Sequence, residues 1–312
     1  MPDLIAVDLG GTNIRVARFA APEPPPIAIQ KTPTLAAEGP EAVVGRMIAL
    51  IEQMTRDSGG PLRIGVGAPG PLDPGRGVVL EAPNLPGWID FPLRDRLAGH
   101  FGCPVAVGND ANLAALGEWR FGAGRGARHM LYLTVGTGIG GGVIIDGRLL
   151  LGARGLGGEL GHMTVDPNGP PCACGARGHL EAMACGPAIA RAAAQRLAAG
   201  EASSLRDLPP PLTAEAIGRA AVEGDALARQ VVAQAGQAIG LHLANLAHAF
   251  DPQVIVLGGG VSLIGPPLFE PLERALRAHI LHQHYLEGLA VLPAALGDDA
   301  GLVGAMVLAS DT

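Results

Sequence analysis

One local pattern occurs twice in this chain: an apolar run, a glycine turn, and a second apolar run. The first copy begins at Leu4 and reads LIAVDLGGTNIRVARF, with Leu4–Val7 and Ile14–Phe19 flanking Gly10-Gly11-Thr12. The second begins at Leu131 and reads LYLTVGTGIGGGVIIDGRLL, where Leu131–Val135 enters Gly136-Thr137-Gly138 and Val143–Ile145 returns. A further turn at Asp146-Gly147 leads to another short strand. Strand, glycine turn and strand is a hairpin signature. Two such hairpins far apart in one chain imply two related lobes. With 312 residues, 48% of them hydrophobic, the chain is long enough for two ordinary cores.

Between and after the hairpins, strand-like and helix-like stretches alternate, which predicts an α/β architecture. Glu41–Asp57 reads as a helix, Leu62–Val66 as a strand ending in APGPLDP, and Val105–Val107 as a strand followed by a helix over Ala111–Arg120. An alanine-rich helical region starts at Pro187, Pro209–Leu212 breaks it, and Leu227–Phe250 is helical. Val254–Leu257 is a strand running into Gly258-Gly259-Gly260.

Composition excludes several classes of function. The net charge is −7, no Lys/Arg run exists, and aromatic residues make up 3% of the chain. A nucleic-acid or anionic-membrane surface is therefore not expected. The start, MPDLIAVDLGG, lacks a basic region, and no uncharged apolar stretch reaches membrane-spanning length, so a cytoplasmic protein is expected. Cys103, Cys172, Cys174 and Cys185 are too few for a disulfide scaffold, and metal binding suits the close pair Cys172 and Cys174 better. Lys31 is the only lysine, and it follows APEPPPIAIQ rather than a glycine-rich loop. A Walker A lysine and a protein-kinase strand lysine are both excluded. Any bound phosphates must be held by backbone N–H groups, hydroxyls and a metal ion.

Two segments match G-x-G-x-x-G, at Gly65/Gly67/Gly70 and Gly136/Gly138/Gly141, but PLDP follows the first and VIIDG the second. A dinucleotide site needs a helix there, so neither qualifies. The turn at Asp8–Thr12 suits phosphate instead. Its glycines admit close approach of N–H groups, Thr12 carries a hydroxyl, and Asp8 supplies charge for Mg²⁺ through water. Thr137 and Gly138 offer the same groups, and two such turns would grip phosphates without lysine. A plain β-turn is the alternative at each. Gly258-Gly259-Gly260 either admits an adenine face or simply ends a strand. Asn109-Asp110 lies where a strand gives way to a helix. A carboxylate there is held ionised by the helix dipole and can accept a proton from a hydroxyl, the alternative being an ordinary N-cap. The densest constellation is GLGGELGHMTVDPNGPPCACGARGHLEA, from Gly155, which contains Glu159, His162, Cys172, Cys174, His179 and Glu181. His162, Cys172, Cys174 and His179 form a plausible structural Cys₂His₂ zinc set, against free cysteines beside incidental histidines.

The segments DLGGTNIR, GVGAPGPLD, NLPGW, NDANLAALGE, LTVGTGIGGG, GLGGELGH, CACGARGHLE and VIVLGGG, in that order, resemble the ROK family of sugar kinases and sugar-responsive repressors over nearly the whole chain. Within it the likeness is greatest to bacterial glucokinases. The resemblance implies an actin-like ATPase (ribonuclease H-like) fold of two lobes with a cleft between them. The smaller lobe would span 1–110, with a helix over about 299–312 packed back on it, and the larger, zinc-bearing lobe 111–298. It implies ATP-dependent phosphorylation of a hexose, glucose first, with N-acetylglucosamine, N-acetylmannosamine, mannose or fructose as alternative acceptors. By the same resemblance Asp110 is the catalytic base, and Asn84, Asn109, Asp110, Glu159, His162 and Glu181 hold sugar hydroxyls. Asp8, Gly10, Gly11, Thr12, Thr137 and Gly138 surround the phosphates, and Gly259 lies near the adenosine. His162, Cys172, Cys174 and His179 take Zn²⁺, and a homodimer or homotetramer is implied. One departure is clear: the family pattern Cys-x-Cys-Gly-x-x-Gly-Cys ends here in His179, also a zinc ligand. A non-catalytic sugar sensor or repressor is the rival class. With DLGGT beginning at Asp8, no DNA-binding helix-turn-helix is expected ahead of it.

Overall fold

In a computed structural model, which describes residues 3–58, 62–82 and 84–312, the chain forms two compact units. The first comprises residues 1–126, 142–158 and 295–312, and the second residues 127–141 and 159–294.

The first unit is built on strands β1 (Asp3–Leu9), β2 (Asn13–Phe19), β3 (Ala28–Pro33), β4 (Leu62–Ala68) and, after a small sheet of β5 (Leu72–Asp73), β6 (Val78–Glu81) and β7 (Ile89–Phe91), β8 (Val105–Asn109). The main sheet runs β3-β2-β1-β4-β8. The first hairpin pairs Leu4 with Phe19 and Leu9 with Ile14. Beyond it, β1, β4 and β8 are parallel. Both sheet faces are covered, which explains the near-continuous apolar runs. Ile5, Val7 and Leu9 point to one face, packing with Met47 and Ile51 of helix α1 (Pro40–Thr55) and with Leu93 and Leu97 of α2 (Leu93–Phe101). Leu4 and Ala6 point to the other, packing with Leu113 and Leu116 of α3 (Asp110–Phe121) and with Leu302, Val303 and Met306 of the C-terminal helix, α9 (Ala300–Ser310). This alternation follows the two-residue period of a strand. Helices α3 and α9 meet through glycine: a Cβ on Gly304 would lie 1.7 Å from the Leu113 carbonyl oxygen.

Glu118, on α3, is fully buried. It accepts from the N–H groups of Ala123 at 2.8 Å, Ala295 at 3.1 Å and Leu296 at 2.7 Å. The carboxylate thus ties down, inside the first unit, both the segment by which the chain leaves and the one by which it returns. Three N–H donors satisfy a buried charge that burial alone would disfavour.

The second unit contains β9 (Met130–Val135), β12 (Val254–Gly258) and β13 (Ala290–Pro293), all parallel. The strand β10 (Ile139–Ile145) begins in this unit and continues into the first, where it pairs with β11 (Arg148–Leu149). The helices are α4 (Leu180–Ala184), α5 (Gly186–Ala198), α6 (Ala214–Glu223), the 25-residue α7 (Ala226–Phe250) and α8 (Pro266–His279). Close α7–α8 packing again needs glycine, since a Cβ on Gly240 would lie 2.1 Å from the Leu272 carbonyl oxygen.

The second sheet runs β11-β10-β9-β12-β13. It repeats the order of the first, strand for strand, as the two hairpins predict. This doubled sheet is the actin-like ATPase fold. Among the described residues, no helix is long and apolar enough to cross a membrane.

Candidate active site

Parallel strands place their following loops at one edge, and in the first unit that edge gathers the predicted chemistry. Asp8, near the end of β1, pairs with Gly67 of β4, and Ala68 of β4 pairs with Asn109, the end of β8. Two strand spacings therefore separate Asp8 from the start of α3, about 10 Å. Asn109 is the N-cap of α3: its side-chain oxygen accepts from Asn112 N at 3.1 Å. Asp110 is the first helical residue, half-buried, and its Oδ1 accepts from Ala111 N at 2.7 Å. The capping task thus falls to Asn109, and the Asp110 carboxylate sits in the positive field of the helix end.

The turn after β1 is closed by Gly10 N donating to the Asn13 carbonyl at 2.9 Å. Gly11 and Thr12 are exposed. A residue not singled out from sequence, the fully buried Thr34, fixes this turn from behind. Its hydroxyl donates to the Gly10 carbonyl at 2.6 Å and its N–H to the Thr12 carbonyl at 2.9 Å. Arg46, on α1, in turn donates to the Thr34 carbonyl at 2.6 and 3.1 Å. Asn84 lies against the same turn, with its Cβ 3.3 Å from where a Cβ on Gly11 would stand.

Burial pushes the Asp8 carboxyl above its ordinary range, and Asp298 adds to that while Arg15 opposes it. Arg15 is itself engaged, donating to the Asp298 carbonyl and the Asp299 carboxylate. Gly301, in the first turn of α9, is a neighbour of Asp8: a Cβ there would lie 3.9 Å from the Asp8 carboxylate, in ordinary contact.

In the second unit, the turn Gly136-Thr137-Gly138 is closed by Gly136 N donating to the Gly138 carbonyl at 2.9 Å. Glu181 holds this turn: its Oε2 accepts from Ile139 N at 2.9 Å, and a Cβ on Gly138 would lie 2.6 Å from that oxygen. Gly186 N, opening α5, donates to the Gly136 carbonyl at 2.7 Å. Gly259 has φ +80°, and a Cβ there would lie 2.4 Å from the Val135 carbonyl oxygen, so the third glycine run backs directly onto the second turn. Gly136 and Thr137 line a cavity of about 1010 Å³ whose other walls include Pro187, Leu212 and Ile264. A cavity of about 1150 Å³ over α4, α5, α7 and α8 contains none of the predicted site residues.

His162, Cys172, Cys174 and His179 come together, with one ligand atom from each within 4.8 Å of all the others. His162 Nδ1 lies 3.8 Å from the Cys172 sulfur, and His179 Nδ1 lies 3.3 Å from the Cys174 sulfur. His179 therefore reaches the position that the resemblance gives to a cysteine. Gly161 admits the His162 turn, because a Cβ there would strike the Ile139 carbonyl oxygen at 1.9 Å. Glu159 is exposed and immediately precedes this turn. Behind it, buried His242 of α7 bonds the Leu160 backbone, and its Nε2 has no partner among the described residues. Burial lowers its pKa to about 4. A lone histidine within an apolar helix carries no sequence signal of such a role.

Two turns of the kind that grips phosphate, at matching places in a doubled actin-like ATPase sheet, define the class. The chain belongs to the ROK family, whose pattern matches residues 4–312. It is 39% identical over 306 residues to a glucokinase of Thermotoga maritima, covering 97% of this chain and 95% of that one. Among solved structures it is similar to a ROK hexokinase from Thermus thermophilus, at 41% identity and TM-score 0.81, covering 99% of this chain and 98% of the other. It is also similar to a ROK family glucokinase from Streptomyces griseus in complex with glucose and AMPPNP, at 35% identity and TM-score 0.85, covering 99% and 100%.

Proposed function

We propose that the protein is a glucokinase, transferring the γ-phosphoryl group of ATP to the 6-hydroxyl of glucose. The observation that carries this reading is the placement of Asp110 at the positive end of α3, on the sheet edge that also bears Asp8 and the first glycine turn. Whole-length similarity to glucokinases supports it.

Phosphoryl transfer needs positioning and charge stabilisation more than covalent chemistry. Asp110 accepts the hydroxyl proton as that oxygen attacks the γ-phosphorus. Asn109 commits its side-chain oxygen to the cap, which leaves its NH₂ to donate to the sugar. Asn84, Glu159, His162 and Glu181 complete the hydroxyl set, His162 through Nε2 because Nδ1 faces the cysteine cluster. The backbone of Gly10–Thr12 and Thr137–Gly138, with the two threonine hydroxyls, holds the phosphates, and Gly259 borders the adenosine.

Two metal ions fit the residues present. Asp8 is a half-buried carboxylate whose charge Arg15 does not fully balance, so it suits Mg²⁺ held through water. The ion would supply charge neutralisation at the phosphate oxygens. His162, Cys172, Cys174 and His179 would supply the four nitrogen and sulfur ligands that a structural Zn²⁺ takes, and the ion would order the loop carrying Glu159 and Glu181.

The deciding experiment is ADP release with MgATP over glucose, mannose, fructose, N-acetylglucosamine and N-acetylmannosamine. Glucose is expected to give the highest kcat/KM. Tenfold preference for another sugar, about 1.4 kcal/mol in transition-state binding, would replace the acceptor while leaving a hexose kinase.

A further inference from the structure

Arg15 and Asp8 stand directly opposite each other on the neighbouring strands β2 and β1. Residues so paired share a sheet face, with Cβ atoms about 4.5–5.5 Å apart. A guanidinium and a carboxylate within such reach form a strong bidentate pair. Among the described residues, no hydrogen bond or ion pair joins these two. Arg15 turns instead to the segment before α9: its Nη1 donates to the Asp298 carbonyl and its Nη2 to the Asp299 carboxylate. It acts on Asp8 only through space, and less than burial does. The acceptor that draws it away is held in place. Asp299 N donates to the Leu296 carbonyl at 3.0 Å, and the N–H groups of Ala295 and Leu296 end on buried Glu118 of α3 at 3.1 and 2.7 Å. The segment that carries Asp299 is thus pinned to α3 independently of Arg15.

We propose that Asp299 is a positioning residue that withholds Arg15 from Asp8 and so leaves the Asp8 carboxylate available to the divalent cation of the phosphoryl donor. The inference rests on the phosphoryl-transfer reading above and deepens it by naming the residue that sets the cation requirement. A carboxylate paired with a guanidinium has its charge matched and its oxygens occupied, whereas a hydrated Mg²⁺ needs both. An Arg15 closed on Asp8 would compete for the same oxygens. Asp299 removes that competition by giving the guanidinium another acceptor of equal charge. A purely structural pair behaves differently. If Arg15 and Asp299 only fastened the start of α9 to the sheet, losing either partner would do the same harm, and losing both would not mend it. Withholding gives opposite signs. Without Asp299, Arg15 turns to Asp8 and cation binding weakens. Without Arg15, nothing competes for Asp8, and cation binding holds or strengthens whether or not Asp299 is present.

The test is calorimetric titration of ADP, with and without Mg²⁺, into the intact wild type, Asp299→Asn, Arg15→Gln and the double variant. The readout is the factor by which Mg²⁺ strengthens ADP binding, which needs no turnover. Asn keeps the size and an oxygen at position 299 but not the charge. Asp299→Asn is expected to reduce that factor by roughly 3- to 5-fold, the scale of one partly exposed ion pair. The Mg²⁺ concentration for half-maximal glucose phosphorylation is expected to rise by the same ratio, with the glucose KM constant. Adding Arg15→Gln to Asp299→Asn is expected to restore the factor to at least its wild-type value. Asp299→Glu, which keeps the charge, is expected to stay near the wild type. An unchanged factor in Asp299→Asn, or an equal loss in Asp299→Glu, overturns the withholding. A double variant no better than Asp299→Asn, or an equal loss in Arg15→Gln, overturns it as well and makes the pair a fastener of α9. No effect of Mg²⁺ on ADP binding by the wild type overturns the inference together with the Asp8 assignment. Absence of turnover with every sugar, beside the expected binding results, counts against the kinase reading alone.

Discussion

The first glycine turn and the second occupy matching places in sheets of identical strand order, yet different chemistry stiffens them. Behind Gly10-Gly11-Thr12 stand a hydroxyl and a guanidinium, from Thr34 and Arg46. Behind Gly136-Thr137-Gly138 stand a carboxylate, the start of α5 and a thiol–imidazole cluster, with Glu181 joining the cluster's loop to the turn. Duplication of the sheet preserves the place of the glycine turn after the first strand of each sheet. It leaves the support free to differ, because any well-placed acceptor or donor holds that turn equally well. The consequence is a functional asymmetry: the second turn depends on a loop suited to metal, and the first does not.

The proton acceptor tests this asymmetry with the largest effect. By strand order, α3 follows the last strand of the first sheet and α9 the last strand of the second, so Asp110 and Asp299 hold comparable places. Arg15 binds Asp299, and the proposed base is Asp110. Asp110→Asn keeps size and loses basicity. It is expected to lower kcat by on the order of 10²- to 10⁴-fold with glucose affinity nearly unchanged. Near-normal kcat in this variant would break the assignment. Asp299→Asn is expected to keep most of kcat.

The next effect is on stability and lies in the second unit. His242 titrates at about 4 in the folded protein against an ordinary 6.5. Its neutral form is the one that fits, so its contribution is complete above about pH 6.5 and is lost as pH falls from there towards 4. The loss reaches about 3 kcal/mol. Urea midpoints at pH 7, 5.5 and 4.5 are expected to fall steadily in the wild type, and less steeply in His242→Leu. Parallel slopes would show that another group carries the acid sensitivity.

The same residues show how far the sequence can be read. Alternating apolar residues set both hairpins, and the structure pairs Leu4 with Phe19 as the first one requires. The place of Asp110 at the start of α3 was legible because strand, Asn-Asp and helix are local to one another. The second hairpin begins its return strand at Ile139, earlier than Val143, because Gly140–Gly142 reads as turn but lies within β10. Those glycines answer to packing, not to bending: a Cβ on Gly142 would lie 2.4 Å from that of Ala115. The small sheet of β5, β6 and β7 escaped because its strands are short and set among proline and glycine. Thr34, Glu118 and His242 escaped for a different reason. Each acts through partners distant in sequence, and a single threonine, glutamate or histidine advertises none of them.

Metal removal separates the two turns directly. Cys172→Ser, or dialysis against a strong chelator, is expected to lower zinc content from one per chain and to reduce kcat/KM for glucose by roughly 10- to 100-fold, the range typical of disturbed ligand support. The Asp8 end should be spared, so the Mg²⁺ concentration for half-maximal rate should hold. Full activity with no zinc present would count against the staple, whatever the sulfur and nitrogen spacing.

The smallest effect concerns Thr34 and isolates the first turn. Valine matches threonine in shape, so Thr34→Val keeps the packing and the hydrogen bonds made by the N–H and carbonyl of residue 34. What it removes is the hydroxyl that donates to the Gly10 carbonyl at 2.6 Å. A buried acceptor then loses its donor, at a cost of about 1–2 kcal/mol. For a chain of this size that corresponds to roughly 2–4 °C in Tm. Thr34→Ser keeps the hydroxyl and should recover most of the loss, which distinguishes the hydrogen bond from the volume. Because Gly10 is part of the turn, the KM for ATP should rise several-fold, while zinc content and the glucose KM stay constant. A change in zinc content would mean that the two turns share their support, and the asymmetry argued from Thr34 and Glu181 would fail. An unchanged ATP KM with a lowered Tm would place Thr34 in the fold alone, leaving the backbone bond from Gly10 to Asn13 to hold the turn.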